Sequence, residues 1–305
     1  MRATRAQRRC AVLAMALALA GAQAVQAEMP AESNLCAVPS TPLALGSAQW
    51  NGWGRDIENT RYQPEPAMRA TDVPKLALKW AYGFQGNAVS GQVTVVDGRL
   101  FVTSSTGRVY SLDAKTGCTY WTYDALSGSH TAVSIGESAP PRSLLPPPPP
   151  AAGRRKHGKG KKTLRQMTLA HLEILKAPSA AFFGDDNGTV YALDAQKGTL
   201  LWKTQVDAHP LARITGSPVV YRGRLYVVVA SNEQLSAANA GYVCCTFRGS
   251  VAALELTSGR ILWRTMAIDE EPRPAPAGSS ERPEIGPSGA SISAAPTIDS
   301  KRNVA

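Results

Sequence analysis

The chain has 305 residues, 44% of them hydrophobic and 18% charged, with a formal net charge of +10. That basicity does not mark a nucleic-acid surface. Arg2, Arg5, Arg8 and Arg9, with eight Arg and Lys between Arg142 and Arg165, exceed the whole net charge, so the remainder is slightly acidic.

At the N-terminus, the four arginines precede the apolar run "AVLAMALALAGA", and "VQA" stands before Glu28. This pattern predicts a signal peptide over 1–27 and an exported, soluble mature chain over 28–305. The run is short for a membrane span, and Cys10 lies ahead of it, where no lipidation cysteine sits. Four cysteines remain: Cys36, Cys118, Cys244 and Cys245. An oxidising compartment favours bridges, and four cysteines allow three pairings. The neighbours Cys244 and Cys245 make a poor staple. Adjacent Cα atoms stand about 3.8 Å apart across a trans peptide, short of the usual disulfide window of roughly 4.4–6.8 Å, and such a bridge closes almost no loop. They are free, paired elsewhere, or a strained ring with a role.

Further along, three stretches align: "VYSLDAKTGCTYW" at 109–121, "VYALDAQKGTLLW" at 190–202 and "VAALELTSGRILW" at 251–263. Each holds an apolar strand, an acid (Asp113, Asp194, Glu255), a turn glycine (Gly117, Gly198, Gly259) and a Trp. A matched pair lies upstream, "QVTVVDGRLFVTSSTGR" at 92–108 and "SPVVYRGRLYVVVASNE" at 217–233, and "APTIDSKRNVA" at 295–305 begins the unit again. Alternating apolar residues with glycine turns predict hairpin strands. A Trp once per repeat suits packing between neighbouring sheets, because one such sheet cannot bury its own face. The expected fold is an all-β propeller with about three and a half blades. Between the strands "TAVSI" and "AAFFG" stands a proline run followed by a basic Gly/Lys tract. It predicts a disordered insertion at about 138–176, with one short helix over 163–175.

The repeat, the opening "WNGWGRDIENTRYQP" at 50–64 and "CCTFRGSV" at 244–251 together resemble the quinoprotein alcohol dehydrogenases, propellers that hold pyrroloquinoline quinone. The likeness is nearest to their polyvinyl-alcohol dehydrogenase branch and covers most of 46–305. It implies a Cys244–Cys245 disulfide against the flat face of the quinone, with Cys36 bonded to Cys118. It implies that Arg248 pairs with the cofactor's carboxylate or quinone oxygens, where its planar fork of donors suits a polyanion. It also implies that Ser288, Gly289 and Ala290, within "GPSGASIS" at 286–293, bring backbone N–H groups close to the cofactor. Calcium belongs to this family. In methanol-oxidising relatives a glutamate ligand follows Ser-Gly-Ala, where this chain has Ser291, a weak ligand, and no metal ligand is assigned.

The implied activity is quinone-dependent oxidation of a secondary or polymeric alcohol in the periplasm. No Cys-x-x-Cys-His is present, so electrons are expected to pass to a separate acceptor such as a c-type cytochrome. The family's general base and its opposite cofactor wall are expected beyond Ala305, so residues 28–305 alone are expected to bind the quinone weakly or not at all. The competing readings are a non-catalytic periplasmic propeller scaffold and an inactive, truncated relic of the enzyme.

Overall fold

The computed structural model describes residues 33–46, 49–64, 68–84, 89, 91–137, 179–274, 276 and 285–304. The expected leader at 1–27 and the insertion at about 138–176, with its helix, lie outside the described residues. Three antiparallel four-stranded meanders follow one another along the chain. Blade 1 holds β1 (Thr94–Val96), β2 (Arg99–Thr103), β3 (Arg108–Asp113) and β4 (Thr119–Asp124). Blade 2 holds β5 (Ser134–Gly136), β6 (Ala180–Gly184), β7 (Thr189–Asp194) and β8 (Leu200–Gln205). In the third blade, β9 (Ala212–Arg213) pairs the far end of β11 (Arg224–Ser231), which lies between β10 (Val219–Tyr221) and β12 (Ser250–Glu255), with β13 (Ile261–Met266) outermost. A short ladder of β14 (Arg273–Pro274) and β15 (Ile285–Gly286) follows. These are the successive sheets of a β-propeller.

The three aligned repeats form the third and fourth strands of each blade, and their spacing has a physical cause. The backbone oxygen of Asp113, Asp194 or Glu255 accepts the N–H of the glycine four residues on, at 2.8 Å each time. Those glycines, Gly117, Gly198 and Gly259, have φ of 75°, 73° and 69°, where a side chain is costly. The Asp113 and Asp194 carboxylates each accept two further turn N–H groups at 2.7–2.9 Å. The Trp of one unit then lies on the glycine of the next: Trp80 on Gly117, Trp121 on Gly198 and Trp202 on Gly259. A Cβ on Gly117 or Gly198 would fall 2.7 or 2.6 Å from ring atoms. Each indole N–H donates to the carbonyl just after the acid, Ala114 at 3.2 Å, Ala195 at 3.1 Å and Leu256 at 3.0 Å. Burying one indole in such a seam contributes about 4–6 kcal/mol as an upper bound, from about 25 cal/mol per Å².

Blade 2 is apolar on both faces because it has a neighbour on each side. Along β6 and β7, Ala180, Phe182, Val190 and Ala192 join one cluster with Trp202, Leu225 and Val227 of the seam to blade 3. Their alternates Ala181, Phe183, Tyr191 and Leu193 join another with Phe101, Val109 and Trp121 of blade 1. The period of two along a strand distributes residues between seams.

Two N-terminal segments tie the blades. Residues 34–46 run from the β3–β4 turn, where Leu35 bridges Thr119 and Cys36 is bonded to Cys118, to the β7–β8 turn, where Ser40 and Gln196 exchange two 2.8 Å bonds. Residues 50–59 then close the free edges of innermost strands. Trp50 exchanges both backbone bonds with Val95 of β1, and the Asn51 carboxamide does the same with the Ile135 backbone of β5, both at 2.7 Å. Ile57 O accepts the Ile298 N–H at 2.7 Å.

Candidate functional site

The turn between the second and third strands takes four residues in blades 1 and 2 and eighteen in blade 3, from Asn232 to Gly249. This expansion begins with a five-residue helix, α1 (Glu233–Ala237), and ends with Cys244, Cys245 and Arg248. It lies at the end of β11 away from the Arg222–Gly223 hairpin.

Glu233, 3% exposed, organises the loop. Its carboxylate accepts the backbone N–H of Thr246 (2.7 Å) and of Phe247 (2.9 Å) and the Tyr242 hydroxyl (2.9 Å). Burial pushes this carboxyl up, but those backbone bonds, the Tyr242 hydroxyl and the His209 ring outweigh it, and its pKa falls below the ordinary glutamate value. His209 Nδ1 accepts the Leu211 N–H at 3.2 Å, which leaves Nε2 as the protonated nitrogen. That nitrogen faces Thr246 Oγ1 at 3.0 Å and Glu233 at 3.8 Å, while the ring sits edge-on to Phe247.

A second segment runs alongside. Ile285 N donates to Cys244 O at 2.8 Å and Cys245 N to Ile285 O at 3.0 Å. Further on, Gly289 N donates to Phe247 O at 2.6 Å and Gly249 N to Gly289 O at 2.8 Å. This ladder brings Cys244, Cys245 and Arg248 beside Ser288, Gly289 and Ala290. Cys244 and Cys245 are bonded to each other, across a cis peptide. The Gly289 N–H is engaged by Phe247 and so faces the protein, a difference from the expected role of that stretch as a donor to a ligand. Gly289 and Ala290 have φ of 100° and 50°, and a Cβ on Gly249 would overlap Ala290 O. The small residues serve close approach of two backbones.

Arg248 Nη1 donates to three carbonyls, Ile268, Asp269 and Glu270, at 3.0–3.3 Å, and Nη2 stands 3.6 Å from the Glu271 carboxylate. Ser291 Oγ accepts the Ser231 N–H at 3.0 Å, so this hydroxyl serves the fold. Among the described residues no group of three or more His, Cys, Asp or Glu converges on a cation site. Thr215 Oγ1 is buried with no partner among the described residues, and its neighbour Gly216 packs against Ala294, just past the 285–291 segment. Glu233, His209 and Thr215 escape a reading based on motifs. The signal for Glu233 was the spacing, because only the third repeat is stretched at this turn.

Residues 50–137 match the model of the PQQ family, the glucose/ethanol/alcohol dehydrogenase β-propeller domain, and residues 175–243 match that of the outer membrane protein assembly factor BamB. The chain is 39% identical over 279 residues to a polyvinylalcohol dehydrogenase of a Pseudomonas species, covering 91% of this chain and 38% of that one. It is 37% identical over 276 residues to a polyvinylalcohol dehydrogenase of a Sphingopyxis species, covering 90% and 37%. Among solved structures, a quinohemoprotein alcohol dehydrogenase of Comamonas testosteroni aligns with a TM-score of 0.49 and 21% identity over 72% of this chain and 27% of that one. The chain thus spans less than two fifths of the length of the polyvinylalcohol dehydrogenases it matches.

Proposed function

Because this chain belongs to the quinoprotein β-propeller family, we propose that it supplies one wall of a pyrroloquinoline quinone site in an enzyme that oxidises secondary or polymeric alcohols. The observation that carries this is the pairing of residues 244–249 with 285–289, which gathers the bonded cysteines and Arg248 at one end of blade 3.

The residues present fit such a group. The bonded sulfurs form a polarizable floor suited to a flat π-system. Arg248 brings a fixed positive charge for the cofactor's carboxylates. The Thr215 hydroxyl is a buried donor without a partner among the described residues, the kind of group that costs free energy until a ligand satisfies it. When bound, the quinone takes the two electrons that leave the alcohol carbon. Glu233 through the 246–247 backbone and His209 through the Thr246 hydroxyl hold the floor in place, so the platform is ordered before a ligand arrives. We assign neither a general base nor calcium ligands within this chain. Export to the periplasm and electron transfer to a c-type cytochrome complete the proposal.

A scaffold reading is favoured by the BamB match. That match ends at residue 243, one residue before the cysteine pair, so the bonded cysteines, Arg248 and the 285–289 segment lie outside it. The test is titration of the purified chain with pyrroloquinoline quinone, followed by calorimetry and by quenching of tryptophan fluorescence. We expect weak binding that Arg248→Ala lowers at least about tenfold, the loss of one charge-assisted contact. Binding that is indifferent to Arg248→Ala overturns the assignment.

A further inference from the structure

We propose that the cavity at the opposite end of blade 3 binds an extended peptide segment whose backbone amide pairs with Val220. The cavity has a volume of about 450 Å³ and is lined by Trp53, Ile57, Glu137, Val220, Tyr221 and Leu256, among others. Arg222–Gly223 and Leu256 lie at one end of β11 and β12, and Ser231 and Ser250 at the other. Val220 opposes Leu225, so the six residues of β11 from Tyr226 to Ser231, at about 3.3 Å each, lie between that edge and the loop that carries the cysteine pair.

The inference rests on a comparison within the molecule. Blades 1 and 3 open with the same hairpin, a two-residue turn of left-handed residues, Asp97–Gly98 at φ 47° and 72° and Arg222–Gly223 at 48° and 72°. Register follows: Val95 opposes Leu100 as Val220 opposes Leu225. In an antiparallel pair the backbone groups of alternate residues point to the outer edge. In β1 that residue is Val95, whose N–H and C=O are both bonded by the Trp50 backbone. In β5 it is Ile135, whose N–H and C=O are both bonded by the Asn51 carboxamide. Both partners are amides. The segment next reaches the chain beyond blade 3, through Ile57 to Ile298 and Asn59 to the carbonyl of Pro296, and so passes blade 3 by. Among the described residues nothing outside its own sheet bonds the Val220 backbone, and the cavity lies at that edge.

The walls favour an apolar side chain on the ligand. Trp53 is 38% exposed and carries Arg61 on its ring, and Tyr221 carries Arg222. Residues 55–61 hold three non-glycine residues in the left-handed region, Arg55, Asn59 and Arg61, a concentration of strain of the kind found at ligand clamps. The volume falls in the range of about 300–1,000 Å³ typical of ligand cavities. Strand addition supplies the amide bonds, and the apolar wall selects the side chain.

The probe is N-acetyl-Leu-Leu-amide, added to the full chain, with amide exchange followed residue by residue. In the free protein the Val220 N–H should exchange at least about tenfold faster than those of Val95 and Ile135, whose partners are in place. The peptide should slow Val220 at least fivefold, and Glu137→Trp at the rim should abolish that effect without altering the fold. Trp53→Ala should weaken it about tenfold. Val220 already as protected as Val95 in the free protein, or binding that leaves Val220 unchanged, overturns the proposal. So does protection by polyvinyl alcohol with none by the peptide, which would mark a polyol site instead.

Discussion

The seams between blades and the long loop of blade 3 are held by opposite means. A seam is apolar and repetitive: Trp121 and Trp202, 6% and 8% exposed, meet the same left-handed glycine and the same carbonyl acceptor in consecutive blades. The β11–β12 loop occurs once and is polar at its centre, with one carboxylate satisfying three donors. Area burial in the seam gives stability that many neighbours share. Hydrogen bonds in the loop give geometry, and each contributes only about 1 kcal/mol net. The molecule thus separates what keeps it folded from what shapes its candidate site, and substitutions should divide along that line.

The largest effect is expected at a seam. Trp121→Ala should destabilise the fold by about 3–5 kcal/mol, read as a lower urea midpoint with an unchanged slope. Trp263 occupies the same repeat position but is 39% exposed, so Trp263→Ala should cost about 1 kcal/mol or less. Equal losses at the two would break the comparison, since burial at the seam would not be the source.

Next comes the loop. Glu233→Gln keeps the shape but turns one acceptor into a donor facing an N–H, at about 1–3 kcal/mol locally. Exchange protection of Thr246 and Phe247 should fall while the global midpoint moves less than in Trp121→Ala. Loss of global stability as large as the tryptophan's would show that the loop is part of the core.

Acid should imitate that substitution. The Glu233 carboxyl is depressed in the folded state, so its contribution is present above the unfolded value of about 4.3 and is lost as pH falls through the folded one. After correction for intrinsic rates, protection at Thr246 and Phe247 should be flat from pH 7 to about 4.5 and decline below that. In Glu233→Gln the decline should vanish. The smallest effect is expected for Ser291→Ala, which removes the acceptor for the Ser231 N–H and should cost about 1 kcal/mol. If the same substitution left stability unchanged yet abolished calcium-dependent quinone binding, Ser291 would belong to the site and not to the frame.

How much was legible depended on period. The acid–glycine–tryptophan spacing could be read because each part answers a local need: the acid closes the turn, the glycine admits a left-handed backbone, and the indole needs a flat, Cβ-free surface. Cys244, Cys245 and Arg248 were legible through a resemblance, and so were Ser288, Gly289 and Ala290. What the residue pattern missed was the partner of each. Ser291 stands where methanol-oxidising relatives carry a glutamate ligand, and its hydroxyl turns out to hold the Ser231 backbone. Gly289 reads as a donor to a ligand, and its N–H bonds Phe247. Both partners are distant in sequence, and no local rule links them.

By itself, then, the sequence determined the all-β repeat, its hairpin strands and glycine turns, and the tryptophan that joins one blade to the next, because those depend on residues within a dozen positions of each other or on a motif that recurs. Only the tertiary structure decided that residues 244–249 lie beside 285–289, that Glu233 braces the loop, and that the segment at 50–59 closes the inner edges of β1 and β5 while that of β10 has no such partner among the described residues. The reason is physical. Backbone donors and acceptors carry no sequence signature, so which distant segment satisfies them is settled when the chain packs.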